Sequence, residues 1–111
     1  MSAFNTEAFA NRWHQMSLAE QMGNIGSEVD RIASWKKKGN EDYARNALYR
    51  SLELLDLTIA DPRWRYRLKE ILRVREFLCD MYLGDNTYGF TPEYFGKYFL
   101  WFAMAAQGRK G

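Results

Sequence analysis

Ser17-Leu18-Ala19-Glu20-Gln21-Met22-Gly23-Asn24-Ile25-Gly26-Ser27-Glu28-Val29-Asp30-Arg31-Ile32 is the stretch that decides the fold. Ser17 and Glu20 have capping-box spacing, in which a serine side chain accepts the N–H three residues on and the glutamate side chain accepts the serine's own N–H. Apolar residues then recur at Leu18, Met22, Ile25, Val29 and Ile32. Alternating steps of four and three, at about 100° per residue, place all five on one side of an α-helix. This helix is expected over residues 18–38, with Gly39 as its stop.

Reading outward, Asn40 caps a second helix, 41–60, whose stripe is Ala44, Leu48, Leu52, Leu55 and Ile59, with Ala47, Ser51, Leu54 and Thr58 beside it. The chain has two prolines, Pro62 and Pro92, and each follows a capping residue, Asp61 and Thr91, as expected where a helix begins. A third helix, 62–83, is expected to bury Trp64, Leu68, Ile71, Leu72, Leu78, Cys79 and Tyr82. Gly84-Asp85-Asn86-Thr87-Tyr88-Gly89 then reads as a turn-rich loop, and a fourth helix covers 92–107. Such short connections force antiparallel neighbours. The expected fold is all-α: an up-down-up-down four-helix bundle over residues 17–108. Residues 1–16, with Phe4, Phe9 and Trp13, are expected to form an arm or short helix packed on the bundle or on a neighbour.

A chain of 111 residues that is 47% hydrophobic and 16% aromatic supplies one core. Sixteen basic against fourteen acidic side chains leave a charge of +2, so any nucleic-acid role depends on where the charges sit. One cysteine, Cys79, excludes an intrachain disulfide and a multi-cysteine metal site, and one histidine, His14, removes most zinc and triad schemes. No cofactor or metal is expected, and the chain reads as non-enzymatic. The start lacks the pattern of a signal peptide, and the longest uncharged apolar run, Tyr98 to Ala106, is shorter than the ~20 residues that span a bilayer. A soluble, cytoplasmic protein without membrane association is expected.

The fourth helix carries more apolar surface than the bundle requires. Phe95, Phe99, Phe102 and Ala106 form its core stripe, Tyr94, Tyr98, Trp101 and Ala105 widen it, and Leu100 and Met104 lie near the opposite side. A helix apolar nearly all round is buried or bound. Tyr94, Leu100, Trp101 and Met104 are therefore expected at the subunit contact of a homo-oligomer.

Cations cluster at the start of the third helix: Arg63, Arg65, Arg67, Lys69, Arg73 and Arg75 against Glu70 and Glu76. Arg65, Lys69 and Arg73 recur every fourth residue, suited to a phosphate backbone, with Trp64 and Tyr66 interleaved as stacking groups. Arg63 joins them as a candidate contact. The competing reading is a solvated face balanced by acids of the second helix. Lys36, Lys37 and Lys38 form a second candidate patch, although cations at a helix C-terminus also complement the helix dipole. The two clusters fall at opposite ends of the bundle. Arg75 falls within the apolar face of the third helix, where a buried guanidinium requires a carboxylate. Glu28 is the expected partner, with Glu53 and Asp56 as alternatives.

Other residues favour plain structural roles. Asp85 to Gly89 reads as a reversal before it reads as a ligand loop. Cys79 is expected to pack as a small apolar residue. His14 has no evident partner, and Gly23 to Gly26 lies inside a helix rather than in a phosphate loop.

Asn24-Ile25-Gly26-Ser27-Glu28, the basic turn Lys36-Lys37-Lys38-Gly39-Asn40, and Tyr43, Ala47, Leu48 and Arg50-Ser51-Leu52-Glu53-Leu54 together resemble a bacterial family. It comprises the small four-helix-bundle proteins encoded in 23S ribosomal RNA intervening sequences and the accessory variability protein of diversity-generating retroelements. The resemblance implies a homopentameric ring with a basic surface that in some relatives binds nucleic acid or a reverse transcriptase, and no catalytic residues. The functional expectation is an oligomeric bundle that binds RNA or DNA through basic faces on a ring. The alternative is an interaction scaffold that docks another protein through the aromatic last helix and the N-terminal arm.

Overall fold

The computed structural model describes residues 6–108, and side chains as far as residue 105; Phe4 and the side chain of Ala106 lie outside the described residues. Five α-helices, α1 (Glu7–Trp13), α2 (Leu18–Lys37), α3 (Glu41–Ile59), α4 (Leu68–Leu83) and α5 (Pro92–Gly108), are joined by short links, with a 3-10 segment at Pro62–Arg67 before α4. Among the described residues the fold is all-α. No helix among them is long and apolar enough to cross a membrane.

The expected boundaries carry the expected caps. Ser17 and Glu20 exchange both capping-box bonds, at 3.1 and 2.9 Å. Gly39 takes φ +76° to end α2, a conformation that costs a residue without Cβ little, and Asn40 then accepts the Tyr43 N–H at 3.0 Å. Thr91 accepts the Tyr94 N–H at 3.1 Å to open α5.

The core sits around α2, which packs against α3 on one side and α5 on another, while α4 packs against α3. Leu18, Met22, Ile25, Val29 and Ile32 are buried, as are Ala44, Ala47, Leu48, Leu54 and Leu55 of α3 and Phe95, Phe99 and Phe102 of α5. Gly26 provides the close approach of α5: a Cβ there would lie 3.3 Å from Phe99 Cβ.

The N-terminal segment contributes to the interior. Trp13, at the end of α1, is 2% exposed and belongs to the main core. Its indole N–H donates to Thr58 Oγ1 at 3.0 Å, and its carbonyl accepts from Gln21 Nε2 at 2.8 Å. Gln21 Oε1 accepts the Trp64 indole N–H at 2.8 Å. A buried amide and a buried hydroxyl are thereby satisfied.

Two expectations for the third helix fail together. Residues 62–67 form a 3-10 segment rather than the first turns of an α-helix, and Trp64 leaves helical geometry at φ −102°, ψ 20°. At 3.0 residues per turn each step advances about 20° more than in an α-helix, so Trp64 is out of phase with α4. Within α4 the buried face is narrow, and Leu72 and Cys79, each about 100° round from Ile71 and Leu78, fall outside it. The buried stripe is Arg67, Ile71, Val74 and Leu78, whereas Leu72 is 45% exposed and Cys79 only half-buried.

The expected buried pair of Arg75 with Glu28 is overturned, and Asp56, one of the two alternatives, is the partner. Arg75 Nε meets Asp56 Oδ1 at 2.8 Å, and the two side chains are 37% and 58% exposed. Glu28 is itself buried, and its carboxylate pairs with Arg31 and, at 3.0 Å, with Arg50 of α3.

Candidate nucleic-acid interface

The basic cluster around α4 separates into cations already occupied and cations left over. Arg63 belongs to the first group. Its guanidinium binds both oxygens of buried Asp61, at 2.7 Å for the shortest contact, donates to the Met16 carbonyl at 2.9 Å, and lies 4.4 Å from the Trp64 ring. It ties the 3-10 segment to the start of α2 and is withdrawn from the candidate contacts. Arg67 is buried, bonded to Glu70 at 2.8 Å and seated 4.5 Å from the Phe102 ring of α5. Residues 67, 71, 74 and 78 keep α-helical spacing, a signal masked by counting Arg67 with the other cations.

Arg65, Lys69 and Arg73 remain exposed, and no carboxylate among the described residues forms an ion pair with them. The acids of α3 that were the competing explanation are not engaged with this row: Asp56 takes Arg75, and Asp61, just beyond α3, takes Arg63. Tyr66 and Tyr88 stand more than half exposed nearby in the sequence or in space. Tyr88 donates its hydroxyl proton to Glu76 at 2.8 Å, which raises its pKa, and the Arg73 charge acts in the opposite sense on it. Tyr98 is raised first by burial and then by Glu70, again against Arg73. The Arg73 charge thus acts on two phenols of the same face, and cations combined with rings are what single-stranded nucleic acid uses.

The lysines lie elsewhere. Lys36 pairs with Glu41 at 3.1 Å and stands 5.9 Å from the Tyr82 ring near the end of α4, whereas Arg63 reaches the chain just before α2. Lys38 covers the Trp35 ring at 4.9 Å. The structure therefore does not bring Lys36, Lys37 and Lys38 together with the α4 row.

Lys36 and Lys37 instead border a cleft of about 590 Å³ with Asp30, Ala33, Tyr82 and Glu93. The Tyr82 hydroxyl is buried without a hydrogen-bond partner among the described residues, and burial, aided by Asp30 and Glu93, pushes its pKa up to about 12. Burial also raises Asp30. The phenol is therefore a neutral donor. Among the described residues no group of three His, Cys, Asp or Glu side chains is placed to hold a metal ion.

The remaining motifs are absorbed by the fold. Asp80 organises the loop after α4: its carboxylate accepts the N–H groups of Thr87 and Tyr88 at 2.9 and 3.1 Å, and its carbonyl accepts that of Asn86 at 3.0 Å. Asn86 and Gly89 take the positive φ of the reversal, 53° and 70°. His14 Nε2 lies 3.0 Å from the Leu57 carbonyl, a partner distant in sequence.

On α5, Tyr94, Leu100, Trp101 and Met104 are all more than half exposed, opposite or beside the buried phenylalanines. No family model, curated protein or solved structure matches the chain.

Proposed function

We propose that this chain is a non-enzymatic, self-associating helical bundle that binds nucleic-acid phosphates along Arg65, Lys69 and Arg73. The observation that carries the reading is the contrast among its cations: Arg63, Arg67 and Arg75 each have a carboxylate, while among the described residues these three have none and are exposed. An unpaired row can release counterions from a phosphate chain without first breaking an ion pair. The large helices alternate up-down-up-down in this reading. Supporting contacts are Lys36 with Glu41 and Glu28 with Arg50 between α2 and α3, and Gly26 with Phe99 between α2 and α5.

Self-association runs through the exposed face of α5, where Tyr94, Leu100, Trp101 and Met104 leave more apolar surface in water than scattered residues would. The number of copies is left to the geometry of that contact; the family resemblance alone implies five. The test is binding of labelled mixed-sequence single-stranded RNA and DNA over a range of salt. With three phosphates neutralised per chain, log affinity should fall against log salt with a slope of about −2. Arg65→Glu with Lys69→Glu should abolish binding while leaving helicity intact, and unchanged affinity in that variant removes the proposal.

The same α5 face also suits the alternative, a scaffold for another protein. Recovery of one stoichiometric protein partner, together with no nucleic-acid shift at low salt, would favour it.

A further inference from the structure

Tyr94, Lys97, Trp101 and Met104 follow one another along α5 in steps of three, four and three, the spacing of a coiled-coil seam. All four are exposed, on the side of the helix turned away from Phe95, Phe99 and Phe102. Lys97 is the single charge in this seam, and no carboxylate among the described residues pairs with it. An occupant must therefore offer apolar surface along the seam and something favourable to an ammonium group at its middle.

A second copy of α5 offers both, in one orientation. If two α5 helices lie parallel, each Lys97 faces its own copy, and two ammonium groups share a layer. If they lie antiparallel and are centred on residue 99, Tyr94 faces the second copy's Met104 and Lys97 faces the second copy's Trp101, because each pair is equidistant from the centre. Each layer then occurs twice by symmetry. The ammonium meets an indole face, the strongest aromatic partner for a cation, and the Met104 sulfur meets a phenol ring. Leu100, also exposed, falls beside the twofold axis against its own copy.

We infer that α5 is an isologous, antiparallel contact with a second copy of this chain, centred near residue 99, in which Lys97 is held by the facing Trp101. The inference rests on the reading of α5 as a self-contact, and it makes the contact twofold. The five-membered ring of the resembled family instead needs a head-to-tail contact, in which a residue does not meet its own copy.

The test uses the full chain without nucleic acid, so the fate of the nucleic-acid reading does not enter. Light scattering gives the mass. In a Cys79→Ser background, Leu100→Cys treated with a short bismaleimide should give a covalent dimer, while exposed Asn46→Cys on α3 should not. Trp101→Lys should dissociate the assembly by setting two ammonium groups in each layer. Combining it with Lys97→Trp should restore the assembly, since the exchange regenerates every pair, and circular dichroism checks that each variant keeps its helices. A wild-type chain that is monomeric at all concentrations overturns both the self-contact and its geometry. An oligomer in which Leu100→Cys fails to crosslink, or in which the double exchange fails to restore assembly, keeps the self-contact and overturns the twofold pairing.

Discussion

Gly26 of α2 receives Phe99 of α5 so closely that a methyl group on Gly26 would lie 3.3 Å from Phe99 Cβ and 3.5 Å from Cγ. Gly23, one turn earlier on the same helix, has nothing within 4 Å of the corresponding position. Both are interior helix positions, where alanine is favoured over glycine by about 1 kcal/mol. Gly23→Ala should therefore raise stability by about 0.5–1 kcal/mol. Gly26→Ala should lower it by about 1 kcal/mol, because overpacking typically costs about 1–3 kcal/mol and exceeds the gain in propensity. Urea titration of the two variants checks the opposite signs.

Trp13 tests whether the first helix is part of the fold or an appendage to it. Replacement of a buried Trp by Ala costs about 3–5 kcal/mol, and Trp13→Ala should fall in that range. Trp13→Phe retains a ring but removes the donor to Thr58 Oγ1, so it should cost about 1–3 kcal/mol. A loss below about 0.5 kcal/mol for Trp13→Ala, the range of ordinary surface changes, would show that α1 is not docked.

The exposed Arg75–Asp56 pair leads to a different expectation from a buried one. A partly hydrated pair contributes at most about 1 kcal/mol once solvent screening is allowed for. Arg75→Met and Arg75→Ala should therefore have unfolding midpoints close to one another and to the wild type. The buried acid that matters is Glu28, which serves both Arg31 and Arg50. Glu28→Ala should cost about 1 kcal/mol, since it removes two charge-assisted bonds but leaves guanidinium groups that water can reach, and more than Arg31→Ala, which removes only one of them.

Acid should weaken the Asp61 junction. Burial pushes the Asp61 pKa up, but the side-chain and backbone hydrogen bonds from Arg63, with its charge, outweigh that effect and leave the pKa lowered. A carboxyl group with a folded pKa below its unfolded value of about 3.9 adds stability that is complete well above that value and is lost as pH falls through the folded value. The stability difference between wild type and Asp61→Asn should accordingly shrink as pH falls from about 5 and go on shrinking below the unfolded value of about 3.9. Guanidinium titrations at several pH values measure it, and a constant difference would falsify this account.

Helix starts were legible because their signals are local. Ser17-Glu20, Asn40 and Thr91 cap the helices they were expected to cap, and the α2 stripe is buried throughout. The face of α4 was not legible from a single period. The buried face of α4 is narrow and centred on Ile71, Val74 and Leu78, and which part of a broad apolar arc faces α3 is set by packing that periodicity alone does not contain. Which cations would remain unpaired was also hidden, because Arg63 and Arg75 find their acids through backbone geometry that charge counting does not contain. Asp80 was missed as the organiser of its loop, although an acid near a helix end followed by Asp85-Asn86 is a signal that could have suggested it.

The Trp13 indole and the Thr58 hydroxyl that accepts its proton are 45 residues apart in the chain. During synthesis the ring therefore leaves the ribosome well before the residues that will enclose it. Gln21 can bond the Trp13 carbonyl early, but the Trp64 side chain that completes this network comes later still. The docking of α1 must wait until α3 and the 3-10 segment have been made.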